Sequence, residues 1–172
     1  MKDTDRCRRI QLILSDVDGV LTSGGIVFDN QGVELKQFHI RDGLGIRLWQ
    51  RAGRKFGLIT GRSSQIVKVR AAELGIDIVR QGFEQKWQAA EEIFRSLSLS
   101  PDQVCFIGDD LPDLPVIHRV GLGVAVADAA AEVRAAAHLV TVKPGGHGAV
   151  RELIETVLKA QGRWEDVVEK YE

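Results

Sequence analysis

Short apolar runs alternate with longer amphipathic segments along most of the chain. The continuous runs predict buried β-strands at Leu12–Leu14, Phe56–Ile59, Ile76–Val79, Val104–Ile107, Gly123–Val126 and Leu139–Val142. Apolar residues at helical spacing predict helices at Leu44–Arg51, Gln65–Leu74, Trp87–Leu97, Ala130–Ala136 and Val150–Leu158. Helices that alternate with fully apolar strands predict a parallel sheet covered on both faces, which is a doubly wound, Rossmann-like α/β fold.

One segment, GIVFDNQGVELKQFHI, breaks this alternation. Its two β-like runs, Ile26–Phe28 and Val33–His39, flank the turn-forming residues DNQG. We predict an antiparallel hairpin inserted at about residues 24–40 of a single domain that spans residues 1–172 and has no cap domain. Because its strand edges are otherwise unpaired, the hairpin either covers an edge of the sheet or joins copies of the chain.

Composition excludes several kinds of protein. The chain is 44% apolar and 27% charged, as in ordinary globular domains, and its 172 residues suffice for one substantial core. A formal net charge of −1 gives no basic field for nucleic acid, and no apolar run approaches the ~20 residues of a membrane span. The first residues, MKDTDRCRRI, lack a signal peptide's apolar stretch, and Cys105 lies in an apolar run as a buried, reduced thiol. These features predict a cytoplasmic protein that binds neither nucleic acid nor membrane.

Unusual polar residues follow three of the predicted strands. They are Asp16 and Asp18 after the first strand, Thr60, Gly61 and Arg62 after FGLIT, and Asp109, Asp110 and Asp113 after VCFIG. Ligands of an open parallel sheet bind beyond the carboxyl ends of its strands, so we expect these residues to share one site. A turn alone would explain any one group, but not acids after two strands and Thr-Gly-Arg after another.

Acidic groups from two strand ends suit Mg²⁺, which takes carboxylate and water oxygens together with a substrate phosphate. A carboxylate there can attack phosphorus to form an aspartyl-phosphate, and a second acid two residues on can move the protons. Thr60 offers a hydroxyl to phosphoryl oxygens. Lys86, at the start of a predicted helix, is the candidate to neutralise developing charge, although alone it would pass for a surface lysine.

DVDGVL, LITGR, Lys86 and GDDLPD, in this order, resemble the four motifs of the haloacid dehalogenase superfamily of phosphatases. The resemblance covers nearly the whole chain. It implies Asp16 as nucleophile, Asp18 as acid and base, Thr60 as phosphate donor and Lys86 as charge stabiliser. It also implies Mg²⁺ held by Asp16, Asp109 and the backbone carbonyl of Asp18, with Asp110 and Asp113 outside the first set of ligands.

FHIRDGLGIR, VGLGVAVADA and GGHGAVREL narrow the resemblance to the capless 3-deoxy-D-manno-octulosonate 8-phosphate phosphatases. This implies a phosphorylated acidic sugar as substrate, a homotetramer joined through the hairpin and a role in lipopolysaccharide biosynthesis. The implied substrate-binding residues are Asp18, His39, Ile40, Arg41, Asp42, Gly43, Arg47, Gly61, Arg62, Arg70 and Lys86. Arginine suits such a substrate because it pairs bidentately with carboxylate and phosphate, although Arg47 and Arg70 alone would pass for solvated helix residues. Members of the family often carry Asn at the position of His39, a departure that bears on substrate preference rather than on the reaction.

Other functions stay open at this point. A sister phosphatase for nonulosonate 9-phosphates would carry other residues at the positions of Arg41 and Arg62. A receiver-type signalling module also gathers acids, Thr and Lys at strand ends, but its accepting Asp lies on the third strand. The segment RWEDVVEKYE after Gly162 either packs on its own subunit or lies near the site of a neighbouring copy.

Overall fold

The computed structural model describes residues 3–171. Within these residues the strands are β1 (Leu12–Ser15), β2 (Val27–Phe28), β3 (Glu34–Leu35), β4 (Lys55–Thr60), β5 (Ile78–Gln81), β6 (Val104–Gly108), β7 (Leu122–Ala125) and β8 (Leu139–Val140). The α-helices are α1 (Asp3–Arg9), α2 (Ile40–Arg51), α3 (Gln65–Leu74), α4 (Lys86–Ser96), α5 (Leu114–Ile117), α6 (Ala131–Ala136), α7 (Ala149–Ala160) and α8 (Trp164–Val168). Short 3₁₀ helices lie at Pro101–Gln103, Leu111–Asp113 and Glu169–Tyr171.

Six parallel strands form one sheet in the order β5-β4-β1-β6-β7-β8. Strand β1 lies inside it, with Leu14 paired to Gly57 of β4 on one side and to Phe106 of β6 on the other. The chain first runs outward from β1 to β5 and then returns to build the other half from β6 to β8. This reversal puts the switch point between β1 and β6, where such sheets bind their ligands, and it confirms the predicted doubly wound fold.

The core lies on both faces of the sheet. Every residue of β1 and β6 is buried, and α2 packs against α7 on one face. Trp49 of α2 is fully buried, and its indole N–H donates to the carbonyl of Lys55 at 2.6 Å. Because both faces are covered, β1 and β6 carry consecutive apolar residues instead of alternating apolar with polar ones.

The predicted strands and the five predicted helices are all present, but some boundaries differ. Helix α2 begins at Ile40 and not at Leu44, because the ring of His39 accepts the backbone N–H of Arg41 at 3.2 Å and caps the helix. Helix α3 ends as predicted at Gly75, whose φ of 66° is left-handed. Helices α1, α5 and α8 were not predicted, because they are short and bury too few side chains to show a period.

The inserted hairpin is present as a separate pair of strands. Val27 pairs with Leu35 and Phe28 with Glu34, in antiparallel register. The predicted second strand, Val33–His39, was too long, since β3 ends at Leu35. The side chain of the next residue, Lys36, is buried. Several apolar side chains on and next to the hairpin are more than half exposed, namely Ile26, Val27, Phe28, Val33, Leu35 and Ile40.

Two further sequence expectations concern the redox state of the cysteines and the membrane. Cys7 and Cys105 are both free and buried, as predicted for Cys105. Burial raises the pKa of both thiols. Among the described helices, none combines the length and the apolar character that crossing a membrane requires.

Candidate active site

A cleft of about 530 Å³ opens at the carboxyl edge of the sheet, at the switch point. The residues predicted for chemistry that line it are Asp16 and Asp18 after β1, Thr60, Gly61 and Arg62 at the end of β4, Lys86 at the start of α4, and Asp109 after β6. The remaining lining residues are Gly24, Phe83, Glu84, Asp110, Pro112 and Asp113. The fold therefore brings together side chains that lie up to 97 residues apart in the sequence.

Lys86 lies buried between two carboxylates. Its Nζ is 2.7 Å from Oδ2 of Asp16 and 2.6 Å from Oδ1 of Asp113, and its side chain is 4% exposed. Burial by itself lowers the pKa of a lysine, but the two carboxylates outweigh burial and raise the pKa of Lys86 above its ordinary value. The cleft therefore holds a fixed positive charge next to Asp16.

Asp113 has both of its oxygens engaged. While Oδ1 faces Lys86, Oδ2 accepts the backbone N–H groups of Asp109 at 2.9 Å and Asp110 at 3.3 Å. Gly108 permits this close approach, because a Cβ there would collide with the Asp113 carboxylate. Asp113 thus orients both Lys86 and the loop after β6, a role that the sequence left open.

Asp16 and Asp109 share a buried, electronegative position. One carboxylate oxygen from each lies within 4.8 Å of the other and of Asp113. Burial, and then repulsion from Asp113, raise the pKa of Asp16 to about 6. Burial, followed by repulsion from Asp16 and Asp113, raises the pKa of Asp109 to about 8. Oδ1 of Asp109 is buried without a hydrogen-bond partner in the described part of the chain. This donor set fits a divalent cation, which would satisfy the unpartnered oxygen and relieve the repulsion.

The loop after β1 comes close to Asp109 because residue 19 is glycine. Gly19 has a left-handed φ of 92°, and a Cβ at this position would collide with the Asp109 carboxylate. The Thr22 hydroxyl holds the loop by accepting the backbone N–H groups of Gly19 at 3.3 Å and Gly24 at 3.2 Å. On the neighbouring strand, the hydroxyl oxygen of Thr60 is held by the N–H of Arg62 at 3.3 Å.

Two hairpin residues that the sequence did not point to contact side chains that line the cleft. The Lys36 ammonium pairs with the Asp18 carboxylate and lies 3.3 Å from Oε1 of Glu34. The same Glu34 oxygen is 2.8 Å from Nη2 of Arg62, whose Nε is 3.9 Å from Oδ2 of Asp18. These four side chains form a closed ring of alternating charge, the four-charge ring. Their signal was the spacing of Glu34 and Lys36, since residues two apart in an extended chain point to the same side.

Seven predicted substrate-binding residues do not line this cleft in the chain that carries them. They are His39, Ile40, Arg41, Asp42, Gly43, Arg47 and Arg70. Ile40 and Arg70 instead line a second, shallower cleft between the hairpin and α3. There Arg70 pairs with Glu73 at 2.8 Å and lies over the ring of Phe38 at 5.7 Å, while Arg47 donates to the Glu73 carbonyl at 2.9 Å.

Asp42 is buried and is used within the chain. Its two oxygens accept the backbone N–H groups of Gly148 at 3.2 Å and Arg151 at 2.8 Å, at the N-terminus of α7. Burial raises the pKa of Asp42 although both of these bonds act to lower it. In this structure Asp42 therefore joins α2 to α7.

A parallel sheet that holds a lysine between carboxylates at its switch point places this protein among the α/β proteins that transfer phosphoryl groups. The model of one such family, described as haloacid dehalogenase-like hydrolase, matches residues 63–153. The chain belongs to this family, as the sequence motifs indicated.

Similar proteins have been named more specifically. The chain is 46% identical over 160 residues to 3-deoxy-D-manno-octulosonate 8-phosphate phosphatase KdsC of Yersinia pestis, which covers 93% of this chain and 86% of that protein. It is 43% identical over 161 residues to KdsC of Escherichia coli strain K12, covering 94% of this chain and 86% of the relative. The crystal structure of the Moraxella catarrhalis phosphatase of the same name, in complex with magnesium ion, phosphate ion and a KDO molecule, is similar with a TM-score of 0.96. The two sequences are 37% identical, and the match covers 98% of this chain and 97% of the Moraxella catarrhalis chain.

Proposed function

We propose that this protein is a Mg²⁺-dependent phosphatase that hydrolyses 3-deoxy-D-manno-octulosonate 8-phosphate through an aspartyl-phosphate. The observation that carries the proposal is the contact of Asp16 with Lys86, 2.7 Å apart, beside the unpartnered oxygen of Asp109. A nucleophilic carboxylate, a fixed cation and a place for a metal are what phosphoryl transfer requires. The identity to named phosphatases over more than nine-tenths of the chain supports the substrate.

Asp16 and Asp18 divide the two half-reactions. A carboxylate oxygen of Asp16 attacks phosphorus, and the bond between phosphorus and the sugar oxygen breaks while Asp18 gives that oxygen a proton. In the second half-reaction Asp18 takes a proton from water, whose oxygen attacks phosphorus. Inorganic phosphate leaves and the Asp16 carboxylate is restored. Lys86 and Thr60 offset the charge on the phosphoryl oxygens throughout.

Asp16, Asp109 and the backbone carbonyl of Asp18 are the residues that would hold Mg²⁺. Asp113 is the nearest further carboxylate, but its oxygens are already engaged by Lys86 and by two backbone N–H groups. The cation supplies positive charge that lets an anionic phosphate approach the carboxylates.

The single domain would work as a homotetramer. Two observations support assembly: the apolar hairpin side chains are exposed, and seven of the predicted substrate-binding residues lie outside the cleft of their own chain. Packing of hairpins from several copies would cover the exposed apolar side chains. It would also allow the seven outlying residues to lie at a neighbour's cleft. Sedimentation of the wild-type protein tests this, and a monomer with full activity would contradict it. A cytoplasmic location fits the two buried free thiols, since such thiols persist in a reducing compartment.

The decisive experiment measures phosphate release from a panel of phosphate esters, with Mg²⁺ and after removal of metal with a chelator. The panel contains 3-deoxy-D-manno-octulosonate 8-phosphate, a nonulosonate 9-phosphate and p-nitrophenyl phosphate. We expect many turnovers, the highest kcat/KM on the first ester, loss of activity in chelator and recovery with added Mg²⁺. A single turnover would indicate a receiver-type phosphoacceptor, and full activity in verified absence of metal would refute the metal role.

A further inference from the structure

The four-charge ring connects the hairpin with the cleft. Two of its members, Asp18 and Arg62, line the cleft, and the other two come from the hairpin. Lys36 is the most buried, with its side chain 4% exposed, and Glu34 follows at 18%. A lysine this buried is held by its carboxylate partners and is not a solvated surface charge.

Glu34 occupies a position built for a carboxylate. Its Oε1 lies 2.8 Å from the Arg62 guanidinium and 3.3 Å from the Lys36 ammonium, and its Oε2 accepts the hydroxyl of Ser64 at 3.1 Å. The hydrogen bond from Arg62, more than any other contact, lowers the pKa of Glu34 below its ordinary value. The side chain is therefore an ionised carboxylate held by two cations and one hydroxyl.

These are the partners that a carboxylate of the substrate would seek. Arg62 presents one planar fork, and a fork that is paired with Glu34 cannot also pair fully with a second carboxylate. The segment that carries Glu34 is weakly held, because the hairpin has only two residue pairs and short isolated hairpins are marginally stable. Exchange of one carboxylate for another at Arg62 is therefore mechanically feasible.

We propose that Glu34 is a specificity-determining residue that holds the place of the substrate's carboxylate on Arg62 and Lys36 until substrate displaces it. The inference rests on the proposed function, since it takes the substrate to be an acidic sugar phosphate. A phosphate ester without a second anionic group leaves the ring closed and reacts without these two cations. An ester that carries a carboxylate replaces Glu34 and gains both of them.

The test compares KM values for two substrates in variants of the ring. Glu34→Gln keeps the shape of the side chain and removes the competing charge. We expect the KM for 3-deoxy-D-manno-octulosonate 8-phosphate to fall about two- to fivefold, the size expected for one partly exposed ion pair. The KM for p-nitrophenyl phosphate should change less than twofold, and the inhibition constant of the phosphate-free sugar acid should fall in parallel with the first value.

A second variant should change the relative KM values of the two substrates in the opposite direction. Lys36→Gln removes one of the cations that the substrate carboxylate would gain. The KM for the acidic sugar phosphate, divided by the KM for p-nitrophenyl phosphate, should therefore rise in this variant instead of fall. Glu84→Gln is the matched control, because it removes one negative charge from the same cleft but lies outside the ring. A general electrostatic effect in this control should alter both substrates alike.

The inference is overturned if Glu34→Gln leaves the ratio of KM values unchanged, raises it, or shifts it no more than Glu84→Gln does. Failure of the proposed function is a separate result that is seen in the wild-type protein alone. If the wild type hydrolyses p-nitrophenyl phosphate but not the acidic sugar phosphate, the proposed substrate is wrong. This result is obtained before any variant is compared.

Discussion

Asp16 and Asp18 stand two residues apart, but they contact different cations. Asp16 faces the buried Lys86 at 2.7 Å, whereas Asp18 pairs with Lys36 and lies 3.9 Å from Arg62. A carboxylate fixed beside a buried lysine is in place to attack, and a carboxylate at the rim of the cleft can exchange protons with a leaving group or water. The two environments thus support the division of roles between nucleophile and general acid.

Substitution of the two aspartates should affect the reaction differently. Asp16→Asn removes the nucleophile and should abolish turnover, because an amide does not form the covalent intermediate. Asp18→Asn keeps the nucleophile but loses proton transfer, so kcat should fall by about 10²–10⁴-fold. Steady-state kinetics measures both, and thermal unfolding checks that each variant is folded. Activity close to wild type in either variant would remove that residue from its role.

Arg62 should matter more for one substrate than for another. Arg62→Ala should lower kcat/KM strongly for the acidic sugar phosphate and little for p-nitrophenyl phosphate, because the lost contact is remote from phosphorus and serves to position the substrate. Arg95→Ala is a suitable control, since the Arg95 side chain is 72% exposed and pairs with Glu91 in α4, outside the cleft. Equal losses on both substrates would instead place Arg62 at the phosphate.

Most cleft residues could be predicted from the sequence because they follow strands whose ends meet at one edge. Asp16, Thr60 and Asp109 are of this kind, and Lys86 could be added from its place in the motif order. Glu34 and Lys36 could not, because they belong to an insertion that long-range ion pairs connect to the cleft, and sequence spacing does not reveal such pairs. The ion pair between Lys86 and Asp113 also depends on side-chain directions that spacing does not reveal.

At the scale of elements, Asp42 joins two helices whose closest ends are 98 residues apart in the sequence. It lies in the first turn of α2, and its carboxylate caps α7 through the N–H groups of Gly148 and Arg151. The N-terminus of a helix leaves backbone N–H groups unpaired and favours negative charge, so a buried aspartate is well suited to this position.

Loss of this cap should destabilise the protein. Asp42→Ala leaves two buried N–H groups without partners and should lower the free energy of unfolding by about 1–3 kcal/mol. Asp42→Asn keeps one acceptor and should cost less, which makes it the matched control. Denaturant unfolding measures the difference. A change in KM without a change in stability would return Asp42 to the substrate-binding residues.

Strands and helices could be predicted well where consecutive or regularly spaced side chains are buried, and less well where few side chains are buried. Each strand of the sheet contains a run of consecutive apolar residues, so each was found within two residues of its bounds. The first turn of α2, IRDG, has a glycine and two charged residues and therefore lacks an apolar period. Helix α1 buries only Cys7 among its seven residues, which is too little for a pattern to show.

At the scale of the whole molecule, the C-terminal segment packs on its own chain. The Trp164 ring lies 5.2 Å from the guanidinium of Arg151 and 5.3 Å from the ammonium of Lys159. Val167 is buried, and the guanidinium of Arg51 donates to the hydroxyl of Tyr171 at 2.6 Å. These contacts favour a structural role for the segment over one at a neighbour's site.

Truncation after Gly162 should therefore lower the midpoint of thermal unfolding and leave kcat and KM nearly intact. The reason is that removal exposes the apolar surface under α8 and the surface of α7 that Trp164 covers. Trp164→Ala in the full-length chain should reproduce part of the loss. Differential scanning calorimetry and kinetics on the same samples separate the outcomes. Altered turnover at unchanged stability would show that the segment acts at an active site.

The position of β1 inside the sheet has a consequence for how the protein responds to warming. β1 is hydrogen-bonded to β4 and β6, whereas the hairpin is held by two residue pairs and the four-charge ring. Backbone amides of β1 should exchange with deuterium only when the domain unfolds as a whole, and those of the hairpin through local opening. The nucleophile follows a strand that is hydrogen-bonded on both sides, whereas Glu34 and Lys36 belong to a hairpin held by two residue pairs. On warming, the relative KM values of the two substrates should therefore change before kcat is lost.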